Sequence, residues 1–232
     1  MNMIRHTKRV ASPVFWRAGR KNFKWITSPA PGPHPAGRSI PLQVLVRDVL
    51  KLVETGREAR AVIRQGKVLV DGKPRKEHKF PVGLMDVVSL PDLKKHYRVV
   101  PDGRGLRVIE IPEKEAGIKP VKLVSKQVVK GGKVQVTVHD GRNYLGVKAD
   151  VGDTLLIRDG KPKEVLAQKS GVLCLVIRGK QAGRMGKLLE KGGGKGLARL
   201  KGSREVFEAP FSYVMVIGEK QPVVKVYEES GD

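Results

Sequence analysis

Leu42, Leu45/Val46, Val49 and Val53 recur at spacings of three and four residues, which predicts a helix after Pro41 with one apolar face. Thr55-Gly56-Arg57-Glu58 then fits a capping box, in which the Thr55 hydroxyl accepts from the amides of a new helix and Glu58 reaches back. In this second, shorter helix Ala59, Val62 and Ile63 form the inner face, and Gly66 stands where a C-terminal cap belongs. At about 100° per residue, Arg57, Arg60 and Arg64 fall within about 60° of one another on the opposite face. After Gly66 the period changes from helix to strand. Val68-Leu69-Val70 reads as a strand, Asp71-Gly72 as a two-residue hairpin turn, and Lys73-Pro74-Arg75-Lys76 as a basic return arm whose proline marks a sheet edge. Val87 to Leu90 supplies a further strand after a turn at Gly83, so residues 41–91 form two short helices on a small sheet.

Residues 92–168 alternate short β-prone runs with turn signals. Asp102-Gly103, Gly131-Gly132, Asp140-Gly141 and Asp159-Gly160 separate Leu106–Ile111, Val134–Val138 and Thr154–Ile157, the signature of a mainly antiparallel β domain. Residues 169–218 continue in the same style, with frequent glycines. The first 40 residues show neither period. They hold Phe15, Trp16, Phe23 and Trp25 and a proline-rich run from Ser28 to Pro35, which forbids a continuing helix or a central strand and predicts an extended arm. That arm lacks the apolar run of a signal peptide, and no internal repeat marks a solenoid or propeller.

Charge decides the class of partner. The 232 residues contain 46 Lys+Arg against 23 Asp+Glu, a formal net charge of +23. Self-repulsion on this scale is unfavourable unless an acidic polymer neutralises it, and nucleic acid is the leading candidate. No stretch approaches the ~20 apolar residues of a membrane span, and no amphipathic basic helix suits a membrane surface. Residues 1–38 carry eight Lys/Arg and no acid. Their aromatics interleave with cations, as needed to stack on bases while charges track phosphates, so Lys8, Arg9, Trp16 and Trp25 are candidates in an arm that orders on RNA. An arginine triad alone can be a solvated helix face, but Arg57, Arg60 and Arg64 stand beside Lys67, Lys73, Arg75 and Lys76.

Catalytic and ligand-binding signatures do not assemble. Lys195 is followed by Gly196 where a phosphate loop needs Ser or Thr, and Gly179 to Gly186 lacks the close first pair of a dinucleotide fingerprint. The five histidines include no His-x3-His pair, and Cys174, the one cysteine, lies in an apolar strand-like run as a buried small hydrophobe. His139-Asp140, followed by Gly141-Arg142-Asn143, reads as a β-turn and not as an acid–base pair. No cofactor, metal or small-molecule substrate is expected.

Three landmarks carry a family resemblance. Thr55 to Arg60, the Gly66–Gly72 turn and the closing Gly83–Val88 resemble the small RNA-binding module named after bacterial ribosomal protein S-four. Val176-Ile-Arg-Gly-Lys-Gln-Ala-Gly-Arg-Met-Gly-Lys187 resembles the KOW motif of small ribosomal and transcription-elongation barrels. Their order, with His6 to Arg9 and Pro31 to His34 before them and His139 to Asn143 between, resembles the archaeal and eukaryotic small-subunit ribosomal protein S-four-e family from end to end. The resemblance implies a non-enzymatic protein of the cytoplasmic ribosome, bound to small-subunit ribosomal RNA and neighbouring ribosomal proteins. It implies an α+β, multi-module chain: an extended basic arm (1–40), an S-four-type module (41–91), a central antiparallel β domain (92–168), a KOW-type small barrel (169–218) and a tail (219–232). Arg57, Arg60, Arg64, Lys67, Lys73, Arg75 and Lys76 would line the RNA-facing edge of the module, and Arg178, Lys180 and Arg184 the KOW loop. Two alternatives share parts of this pattern. One is an RNA-modifying enzyme of pseudouridine synthase type, for whose catalytic Arg-Leu-Asp context Arg47-Asp48 comes closest. The other is a KOW-bearing elongation factor. Only three Asn and seven Gln with 30% charged residues fit a thermophilic, archaeal source.

Overall fold

The aromatic start of the chain is not a free arm. In the computed structural model, which describes residues 6–8, 11–16, 24–191 and 196–227, strand β1 (His6–Lys8) pairs antiparallel with β2 (Trp25–Thr27), Thr7 opposite Ile26. Trp16 is 2% exposed and its indole Nε1 donates to the Ser39 carbonyl at 2.8 Å. Phe15 lies against Gly105, whose φ of +131° and whose missing Cβ, which would sit 2.3 Å from the Phe15 ring, both require glycine. The proline run ends in a buried tether: His34 Nε2 lies 3.0 Å from the Asp86 carboxylate, which also accepts the Gly83 N–H at 2.9 Å. The expectation of an arm ordered only by RNA is therefore corrected for these residues. A single indole buries roughly 150–250 Å², enough to anchor chain that has no apolar periodicity.

These elements belong to the first of two compact units, Met1–Val99 with Arg104–Ala116. Strand β3 (Ile40–Pro41) pairs with a later strand and leads into α1 (Leu42–Val44), which widens at once into a π-turn over Leu45–Val49. The Leu50 N–H donates to the Leu45 carbonyl and that of Leu52 to Val46. The regular helix predicted through Val53 thus ends early, while Leu45 and Val46, three and four residues after Leu42, are both at most 1% exposed as the apolar face predicts. In α2 (Gly56–Arg64) the capping box forms as expected, with the Glu58 N–H donating to Thr55 Oγ1 at 3.2 Å and the Thr55 N–H to Glu58 Oε2 at 3.4 Å. Ala59 and Ile63 are fully buried beneath it.

Beyond α2, β4 (Leu69–Val70) and β5 (Lys73–Pro74) form the predicted hairpin, Asp71 and Gly72 taking φ of 51° and 72°. Next come β6 (Pro81–Val82), the partner of β3, then β7 (Val87–Leu90), β8 (Lys95–Asp102) and β9 (Gly105–Ile111). The sheet order is β5-β4-β7-β8-β9, which puts the Pro74 strand at the edge.

The second unit comprises Val100–Gly103 and Gly117–Asp232. Its first sheet is built on β10 (Ile118–Val129), with β11 (Lys133–Val138), β12 (Asn143–Leu145), β13 (Thr154–Arg158) and β14 (Lys161–Leu166) in the antiparallel order β12-β11-β10-β13-β14. A bulge near Leu123 lets β10 pair with β13 along one half and mainly β11 along the other. The second sheet holds β15 (Leu173–Val176), β16 (Met185–Lys191), β17 (Leu197–Lys201), β18 (Val206–Pro210) and β19 (Val214–Gly218). Its order is β18-β17-β16-β15-β19, and side chains from all five strands, among them Cys174, Leu188, Leu200, Phe207 and Val216, share one core. Cys174 is fully buried in it, and desolvation pushes its thiol up to about 12. His139-Asp140 is a turn: the Gly141 N–H donates to the Val138 carbonyl and that of Arg142 to Asp140 Oδ1. The α+β, multi-module class is as read from the sequence.

Candidate nucleic-acid interface

Because α2 buries Ala59 and Ile63, the helical period turns Arg57, Arg60 and Arg64 outward, and all three are exposed. The Glu58 carboxylate on the same helix is occupied by the cap, where it accepts from the Glu54 and Thr55 amides. Arg57, Arg60 and Arg64 have no acidic partner within ion-pair distance among the described residues; Arg60 Nε donates to the Gly56 carbonyl at 3.1 Å. The turn after the helix brings the return arm alongside: a Cβ on Gly66 would lie 3.9 Å from Lys76 Cε. Lys73 and Lys76 are exposed, whereas Lys67 pairs with Asp92 at 3.0 Å across the surface. Arg75 is half-buried, its guanidinium 4.3 Å from the centre of the Phe80 ring.

The field of this cluster is felt at His78. Its pKa lies below the ordinary value first because of burial and then because Lys79, Arg60 and Arg64 disfavour a further charge, with Glu77 opposing them. Nothing in the hydrophobic period groups Arg47, His78 and Lys79 with the triad; the fold does, lining one cleft with all three together with Arg57, Arg60 and Trp25.

The remaining candidates divide. Trp16 is corrected outright: a ring 2% exposed and hydrogen-bonded to Ser39 cannot stack on a base. Trp25, from the same segment, is 49% exposed, with Lys24 Nζ 6.0 Å from its ring centre. Lys8 is exposed, and Arg9 lies outside the described residues. In the second unit Arg178 stacks 5.0 Å from the centre of Tyr213 and Lys180 is exposed. Arg184 is held by the protein itself, 4.1 Å over Phe207 and 2.8 Å from both Glu205 and Gln181.

Among the described residues no cluster of three His, Cys, Asp or Glu is placed to hold a metal, and no helix is long and apolar enough to cross a membrane. Residues 93–161 match the model of Ribosomal family S4e, residues 40–88 that of the S4 domain, and residues 1–37 that of the RS4NT (NUC023) domain. The small ribosomal subunit protein eS4 of Korarchaeum cryptofilum is 42% identical over 237 residues, covering 97% of this chain and 98% of the relative. That of Methanothermobacter thermautotrophicus is 42% identical over 241 residues and 96% of each chain. The crystal structure of the 30S ribosomal protein S4e from Thermoplasma acidophilum shares the fold with a TM-score of 0.68 at 30% identity, over 78% of this chain and 96% of that one.

Proposed function

The chain belongs to the ribosomal S4e family, and on that footing we propose that it is a non-enzymatic constituent of the small ribosomal subunit, holding ribosomal RNA through the outer face of α2 and the adjoining β5 edge. The observation that carries the RNA contact is the acid-free array of Arg57, Arg60 and Arg64, continued by Lys73 and Lys76. Guanidinium groups meet phosphates with paired, charge-assisted hydrogen bonds, and phosphate contacts fix position without reading sequence. Residues 41–91 act as the RNA-binding module, 1–40 as its basic N-terminal extension, 92–168 and 169–218 as β domains, and 219–232 as a tail. Arg178 and Lys180 of the KOW-like loop supply a second contact. The ribosome places the protein in the cytoplasm beside other small-subunit proteins.

Neither alternative gains support. Relatives that span 96–98% of their own length and of this chain carry the ribosomal name. Asp48, the nearest match to a synthase aspartate, is instead closed onto Arg47 at 2.7 Å.

The test is a titration of the full chain with a small-subunit ribosomal RNA fragment. Log K should fall linearly with log salt, by about 0.7–0.9 per phosphate neutralised. Replacing Arg57, Arg60 and Arg64 together by Gln should weaken binding by roughly 1–3 kcal/mol with the melting temperature unchanged. Affinity independent of salt from ~50 to 200 mM would overturn the proposal.

A further inference from the structure

The arginine face does not account for the cleft beside it. About 580 Å³ in volume, the cleft lies between β2 and the N-terminal part of α2, within the range of roughly 300–1,000 Å³ typical of small-molecule sites. Its walls carry Trp25, Arg47, Arg57, Arg60, His78 and Lys79, and none of the described residues lining it is acidic. Arg57, Arg60 and Lys79 have no acidic partner within ion-pair distance among the described residues, while Arg47 is neutralised by Asp48 through Nε at 3.0 Å and Nη2 at 2.7 Å. Trp25 contributes a half-exposed indole to the lining, the broadest apolar ring among the described residues there. A simple phosphate-tracking surface has no use for an aromatic wall, and an apolar ligand has none for three uncompensated cations.

We infer that this cleft takes one unpaired nucleotide of the RNA, its base stacked on Trp25 and its phosphate held by Arg57 and Arg60. A base inside a duplex cannot reach an indole, so the cleft selects RNA whose bases are splayed from a loop or bulge. Stacking on an aromatic ring tolerates any base, because each has a π-face. His78 borders the same cleft, its Nδ1 3.2 Å from Glu77 Oε1. The inference rests on the proposal that α2 binds RNA and specifies what kind of RNA its edge receives.

The two tryptophans make the test direct, since Trp16 is buried and Trp25 is not. The full chain is titrated with a short oligouridylate and, separately, with a blunt RNA duplex of the same length, following indole emission. The oligouridylate should quench the exposed indole, and Trp25→Ala should weaken its binding about tenfold, with Trp25→Phe restoring most of the loss and duplex binding unaltered. Equal quenching by the duplex, or an oligouridylate affinity untouched by Trp25→Ala, overturns the nucleotide site. If the Arg57/Arg60/Arg64→Gln triple variant still loses affinity for both RNAs in that case, the α2 reading survives alone. If the unaltered chain binds neither RNA, both fail.

Discussion

Two regions space their cations three residues apart and send them to opposite fates. On α2, Arg57 and Arg60 lie on one face and are exposed; on β10, Lys119 and Lys122 are each 4% exposed. The period explains part of the difference: three residues are most of a helical turn but leave a strand on its other face. Lys119 pairs with the buried Asp140 at 3.0 Å, whereas Lys122 donates to the Phe211, Ser212 and Val214 carbonyls at 3.1, 2.8 and 2.5 Å. Burial alone would raise the Asp140 pKa, yet Lys119, Arg142 and His139 outweigh it and hold the carboxyl below its ordinary value. In a chain of +23 charge, cationic side chains are thus left to solvent or taken into the fold according to the element that carries them.

The contrast is sharpest under mutation. Asp140→Ala should lower the unfolding free energy by about 3–5 kcal/mol, because it removes the buried carboxylate that offsets the Lys119 charge in the interior, and urea denaturation measures it. A loss below ~1 kcal/mol would mean that Lys119 finds water or another acceptor, and the distinction between the two regions would weaken.

Lys122 carries a pH signature of the buried class. Burial pushes its pKa from 10.5 down to about 8, so between those values the unfolded chain holds a proton that the folded one has released. Stability should therefore rise with pH across that window and be lost again as pH falls through about 8. The rise is at most roughly 3 kcal/mol, less whatever the three carbonyls add in favour of the ammonium. Lys122→Met should flatten it, as denaturation at pH 8 and 10 would report; equal slopes in both proteins would refute the assignment.

Smaller effects belong to α2. Thr55→Ala removes the capping hydroxyl and should cost about 1 kcal/mol. The single change Arg64→Gln should shift stability by less than ~0.5 kcal/mol while weakening RNA binding measurably. Should Arg64→Gln destabilise as much as Thr55→Ala, the outer face would be part of the fold after all.

Legibility followed the separation of the partners along the chain. The capping box joins Thr55 to Glu58, and the Asp71-Gly72 turn needs only two adjacent residues with positive φ, so both stand in the structure as read. The His34–Asp86 contact spans 52 residues and left no local trace, and the Trp16–Ser39 bond spans 23. The π-turn over Leu45–Val49 left no such trace, because Leu45 and Val46 keep the three- and four-residue spacing from Leu42 that a regular helix also shows. The cleft draws on β2, the π-turn, α2 and the loop after β5, and no spacing rule joins those four segments.

Composition and short-range pattern were sufficient for the excess positive charge, the α+β class, the capped helix α2 and its outward arginines, since net charge and the 3.6-residue period are properties of the chain before it folds. Folding then separated two tryptophans of one segment, sealing Trp16 in the core of the first unit and leaving Trp25 at the cleft, and chose which lysines to bury. Burial is a property of what packs above a residue, supplied by chain tens of residues away, so sequence near Trp16 or Lys122 could not contain it.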